Sequence, residues 1–242
     1  MGLAHSPSII IDGLVFYLDA ANTKSYSGSG TSIINLSTSG LGATLVAGIS
    51  FTSSNSGSLT LNGTSQYINV PNSSGYGIST ESFTMNLFVK ATNKSSTNFL
   101  SFLSNRQLTT PFNGILITQD FTANRSAYLR YQLNSGLGSS QFNSGTLPFV
   151  SNAYNMITMV VNRSNNTLSS YLNGSLDASY NITGITSIGS THNIEIGRDD
   201  AFLPNSNAWM GGNFGLFQIY NRALSSTEIL QNYNATRKRF GL

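Results

Sequence analysis

The chain is predicted to be all-β, an antiparallel two-sheet β-sandwich with one short C-terminal helix, and three observations carry that prediction. Apolar and polar residues alternate with period two in short runs along the whole length. The runs are separated by clusters of Gly, Asn and Ser, and no helical pattern lies between them. Parallel strands need long crossovers, usually helices, so runs joined by polar turns pair antiparallel, and two packed sheets bury their apolar faces.

The clearest run is 82–90, where Phe83, Met85, Leu87 and Val89 fall on one face and Thr84, Asn86, Phe88 and Lys90 on the other. That is the pattern of a half-buried strand. Similar runs occupy 14–18, 58–62, 67–70, 115–118, 127–133, 156–161, 168–172, 194–197 and 214–220. Between 156–161 and 168–172 lies Asn162-Arg163-Ser164-Asn165-Asn166, whose asparagines tolerate positive φ and predict a hairpin, and Asn173-Gly174 is a type I′ turn signal. The Ser/Gly-rich stretches 26–30, 53–57 and 134–145 read as loops. Ser225-Ser226-Thr227-Glu228 spells a capping box, which predicts a helix over 226–238 docked by Ile229 and Tyr233 with Leu230 beside them. Its basic end, Arg237-Lys238-Arg239, complements the negative pole of the helix dipole.

Composition narrows the function. Lys and Arg number 12 and Asp and Glu 9, so the net charge of +3 is matched by the triplet at 237–239 and the rest of the chain is neutral. Nucleic acid is therefore not an expected partner, because phosphate recognition needs a basic face with several contacts. The absence of cysteine excludes disulfides, thiolate nucleophiles and Cys-based zinc sites. No stretch approaches the ~20 apolar residues that span a bilayer, so membrane insertion is not expected. The first residues carry no basic n-region and only a short apolar run, Ile9-Ile10-Ile11, so the expectation is synthesis in the cytoplasm without a signal peptide. Residues 1–12 are expected to form an N-terminal arm that could pack on a neighbour, and 13–242 a single domain.

Catalytic chemistry is poorly supplied. The two histidines, His5 and His192, lie in an end segment and at a strand-flanking turn, too few for a zinc site. Glycoside hydrolysis needs two facing carboxylates about 5–9 Å apart. The nine acids never stand at i, i+2 and i+4 on one strand, and the adjacent Asp199 and Asp200 point apart in extended chain, so no catalytic residue is assigned. Two binding uses remain open beside the plain alternatives of a solvated loop and a core tryptophan. Asp199, Asp200 and Asn205 are oxygen ligands suited to calcium, although no cofactor is required. Trp209, the only tryptophan, with Asp199, Asp200, Asn205 and Asn207 nearby, has the composition of a sugar grip, a ring for C–H faces and polar groups for hydroxyls.

The residues resemble the laminin-G-like group of concanavalin A-like sandwiches over most of the chain. Gly57-Ser58-Leu59-Thr60-Leu61-Asn62-Gly63 with Gln66-Tyr67-Ile68-Asn69-Val70-Pro71 resembles the family's early strand pair, 81–90 its long inner strand, and 156–174 its central hairpin. Ile196-Gly197-Arg198 and then Phe217-Gln218-Ile219-Tyr220-Asn221-Arg222-Ala223-Leu224-Ser225 are similar to its closing strand and the start of its helix. The resemblance implies a concanavalin A-like jelly roll. Family members often carry Asp where this chain has Asn62 and Gln66, and Asp-Glu where it has Gly215-Leu216, so the family's calcium site lacks its acids here. The opening 13–22 and the ending 232–242 resemble a version found in structural proteins of tailed phages, notably those of cyanobacteria. That resemblance implies a non-catalytic virion surface component, such as a capsid decoration, fibre or tail protein. Its implied partners are other virion proteins and further copies of itself on the particle, and its loops would face host-surface glycans. A free-standing lectin and a glycoside hydrolase are the alternatives.

Overall fold

Alternating side chains become strands wherever a second strand can take up the backbone hydrogen bonds. The computed structural model describes residues 7–37, 41–54, 57–72, 76–92, 100–120, 128–135, 138–202 and 208–242. The strands are β1 (Leu14–Asp19), β2 (Ser32–Ile33), β3 (Ala43–Val46), β4 (Ser50–Thr52), β5 (Ser58–Asn62), β6 (Tyr67–Val70), β7 (Phe83–Ala91) and β8 (Leu100–Ser104). They continue with β9 (Gly114–Asp120), β10 (Tyr128–Ser135), β11 (Gly138–Asn143), β12 (Tyr154–Asn162), β13 (Thr167–Leu172), β14 (Ser175–Asn181), β15 (Ile194–Ile196) and β16 (Gly211–Tyr220). The helix α1 (Ser226–Thr236) closes the chain and is followed by a tighter turn, Arg237–Phe240.

Two antiparallel sheets form. Sheet A runs β14-β13-β12-β7-β16-β5-β4, with β1 also paired to β16, and sheet B runs β11-β10-β9-β8-β15-β6-β3-β2. Their inner faces meet in one apolar core to which β7 gives Phe83, Met85, Leu87 and Val89, and β8 to β10 give Leu100, Phe102, Ile115, Ile117, Leu129, Tyr131 and Leu133. The ten alternating runs coincide with strands over their described residues, and β12 and β13 form the expected hairpin, with Val161 opposite Leu168. Asn173 and Gly174 both take positive φ, 52° and 79°, as a type I′ turn requires.

Several expectations change. Much of the stretch 134–145 is strand: β10 continues to Ser135 and β11 pairs with it, Gln132 opposite Gln141, although β11 has no apolar alternation to reveal it. The segments at 58–62 and 67–70 lie in opposite sheets rather than side by side. The strand read at 82–90 is buried on both faces, because the C-terminal segment covers the outer side of sheet A. There Phe240 stacks on Phe88 with ring centres 4.6 Å apart. Gly215 makes room for this ring, since a Cβ at that position would meet it at 2.4 Å.

The capping box at the helix start is formed as the sequence spells it, Ser225 accepting from the Glu228 N–H while Glu228 accepts from the Ser225 N–H. The regular helix ends at Thr236 rather than 238, and its buried stripe is Ile229 and Asn232, with Leu230 left 45% exposed. Asn232 is buried because it has a partner: its side chain donates to Tyr220 Oη and accepts from the Ile10 N–H. Residues 8–12 are thereby laid along the helix, where Ser8 and Asp12 meet Gln231 and Arg222. Arg239 turns back to an ion pair with buried Asp19 at 2.8 Å.

Candidate functional site

On sheet B the outward side chains are polar, and the strand register sets them in two rows. Cross-strand partners stand side by side on one face, so the pairings place Ser101, Thr118 and Arg130 in one row. Ser104, Leu116, Gln132 and Gln141 form the next. A register shift between Ser101 and Leu103 lets β8 turn both serines outward while Phe102 and Leu103 both enter the core. Over these rows lies a cavity of about 240 Å³ lined by Ser101, Leu116, Thr118, Arg130, Gln132, Gln141, Asp199 and Ala208.

Asp199 closes one end of the second row. Its carboxylate accepts from Ser104 Oγ at 2.8 Å and pairs with Arg106, and both ionic partners are buried. Thr118 spends its hydroxyl hydrogen on the Leu100 carbonyl. Ser101 Oγ and Gln132 Oε1 are different, for both are buried and neither has a hydrogen-bond partner among the described residues. Leaving a buried polar atom unpaired costs about 1–3 kcal/mol, so both atoms weigh against the stability of this face.

Asp200 points the other way, at the start of a short 3-10 turn, Asp200–Phe202. It meets Arg198 at 3.1 Å, and Arg198 also forks onto Glu195. The Arg198 guanidinium lies over the Tyr67 ring at 3.9 Å and near Trp209 at 5.5 Å. Burial alone would raise the Glu195 carboxyl, but the nearby His192 and the hydrogen-bonded Arg198 outweigh it and hold the group below the usual carboxylate range. Its carboxylate correspondingly raises His192, whose Nε2 lies 3.6 Å away. His192, Glu195 and Asp200 approach within 4.8 Å of one another, yet Arg198 already supplies the positive charge their carboxylates need.

The predicted sugar and calcium residues are thus divided. Asp199 lines the cavity, Asp200 and Trp209 sit on the Arg198 side, and Asn205 and Asn207 lie outside the described residues. Asp199 and Asp200 do not converge on one cation, and both Asp199 oxygens are committed. Trp209 is partly exposed beside Tyr67, with ring centres 6.1 Å apart, and is not a core residue. Ser101, Thr118, Arg130, Gln132 and Gln141 were not singled out from sequence. The alternation Leu129-Arg130-Tyr131-Gln132-Leu133 held the signal, since it turns Arg130 and Gln132 outward together.

Residues 62–230 match the laminin-G-type family model described as concanavalin A-like lectin/glucanases superfamily. Among solved structures, the fold is similar to the binding domain of Paraclostridial Mosquitocidal Protein 1, at 18% identity and TM-score 0.74, covering 92% of this chain and 52% of that one. It is also similar to the botulinum neurotoxin serotype D ligand binding domain in complex with N-acetylneuraminic acid, at 15% and 0.69, covering 93% and 51%. A third is the Ruminococcus gnavus IT-sialidase CBM40 bound to α2,3 sialyllactose, at 15% and 0.55, covering 72% and 94%. This chain spans about half the length of the toxin domains. No curated protein matches the sequence. At such identities the solved structures bear on the fold alone.

Proposed function

The chain belongs to the concanavalin A-like lectin/glucanases superfamily, and from that premise we propose that it is a non-catalytic glycan-binding protein whose pocket on sheet B receives sugar hydroxyls. The observation that carries this reading is the cavity over the two rows, which sets the polar side chains of Ser101, Thr118, Gln132, Gln141 and Asp199 around apolar Leu116 and Ala208, a mixture of polar and apolar surface that suits a sugar. Two similar folds were solved with sialic acid sugars.

Hydrolysis is disfavoured by the state of the nearby acids. A glycosidase acid must hold a proton near neutral pH and its partner must be free to attack or to activate water. Here Glu195 is held ionised, Asp199 is tied to Arg106, and Asp200 to Arg198. The setting we propose is the surface of a tailed-phage particle, as a capsid decoration, fibre or tail component beside other virion proteins and further copies of itself. The support is the likeness of segments 13–22 and 232–242 to such proteins.

A glycan array followed by calorimetric titration of the wild type and Gln132→Leu tests the binding. Saturable binding to at least one glycan, lost in the variant, is expected; silence across the array, or equal binding by both proteins, would overturn it. A mass-spectrometric inventory of purified particles tests the setting, with stoichiometric incorporation expected and absence from particles the contrary result.

A further inference from the structure

The size and lining of the pocket say more about its ligand, provided the glycan reading holds. An apolar cavity of about 150 Å³ admits benzene, a molecule of six heavy atoms. Scaled from that, about 240 Å³ accommodates about ten heavy atoms, close to one sugar ring with its substituents and well short of two. The floor has the same scale, since its two rows stand only two residues apart along β9 and β10, Thr118 to Leu116 and Arg130 to Gln132. One end is closed by the Asp199–Arg106 pair and Ser104.

The lining chemistry agrees. None of the described lining residues is aromatic, so there is no flat platform on which successive rings of a polysaccharide could stack. The polar side chains of Ser101, Thr118, Gln132 and Gln141 line one small space together, which suits several hydroxyls on one ring better than repeated contacts along a chain. We infer that the pocket binds a single terminal sugar unit end-on, and not an internal stretch of an extended polysaccharide. The ligand class is then the exposed end of a branched or capped glycan, with the rest of the chain in solvent.

The test is a length series by calorimetry. Free galactose, glucose, mannose and fucose are titrated beside a disaccharide and a tetrasaccharide ending in each. End-on capture predicts that one monosaccharide binds within about threefold of its tetrasaccharide, a gap smaller than the tenfold step of about 1.4 kcal/mol. Gln132→Leu should abolish binding along the whole series while raising the melting temperature of the free protein, which separates a lost contact from a lost fold. Tightening by tenfold or more from mono- to tetrasaccharide would overturn the end-on mode and leave glycan binding standing. No binding by any member would overturn both readings, and unchanged binding in Gln132→Leu would exclude this pocket.

Discussion

On sheet A the outward row Tyr17, Gln218, Asn86, Thr158 and Tyr171 is as polar as the rows on sheet B, yet the two faces have different fates. The sheet A groups largely satisfy one another. Thr158 donates to Asn86 at 2.8 Å, Asn86 donates to Gln218 at 3.1 Å, and Ile229, Leu224 and Phe240 of the C-terminal segment close over them. On sheet B no equivalent segment supplies partners for Ser101 Oγ and Gln132 Oε1 among the described residues. The contrast is one of degree, since Gln218 Nε2 on sheet A is also buried without a partner among the described residues, and the sheet B row is the proposed binding surface because a cavity lies over it.

Five substitutions or conditions would break or sharpen that contrast. Phe240→Ala removes the ring that stacks on Phe88 and meets Tyr154 at a tilt, and a loss of about 3–5 kcal/mol is expected from urea unfolding. A much smaller loss would mean that the cover contributes little to sheet A. Asp199→Ala leaves Arg106 buried without its carboxylate, a cost of about 3 kcal/mol in the same assay. Asn86→Leu, which strands Thr158 and Gln218, is expected to destabilise by about 2 kcal/mol. Gln132→Leu has the opposite sign, because it deletes an unpaired atom and should stabilise the free protein by about 1 kcal/mol. If both substitutions destabilise alike, the two faces do not differ as described.

The smallest effect concerns pH. Hydrogen bonds from Arg222 hold the Glu228 carboxyl down to about 2, from an ordinary value of 4.5. A depressed folded value contributes stability above the ordinary one, and that contribution disappears as pH falls from about 4.5 toward about 2. At this partly exposed site the effect is below about 1 kcal/mol, measurable as a flatter acid limb in Glu228→Gln.

Much of the fold was legible because burial on one face writes alternation into the sequence, as in Phe83, Met85, Leu87 and Val89. What stayed hidden lacked that imprint. Strand β8, Leu-Ser-Phe-Leu-Ser, is buried throughout and carries a register shift, so its period is broken. Strands β11 and β14 lie at sheet edges with few apolar side chains, and β2, β3 and β4 are two to four residues long. The pocket was hidden for a related reason. Ser101, Thr118, Gln132, Gln141 and Asp199 are ordinary surface residues in sequence, and only sheet register brings them together. The Asp199-Asp200-Trp209 cluster, suggested by proximity along the chain, is instead split, because the chain turns into a short 3-10 helix at Asp200 and sends the two carboxylates to different arginines.

The most direct measurement is amide chemical-shift mapping during titration with a glycan selected from the array. Perturbations centred on Ser101, Thr118, Gln132 and Gln141 are the predicted outcome. A footprint centred on Tyr67, Arg198 and Trp209, or on the covered face of sheet A, would contradict it.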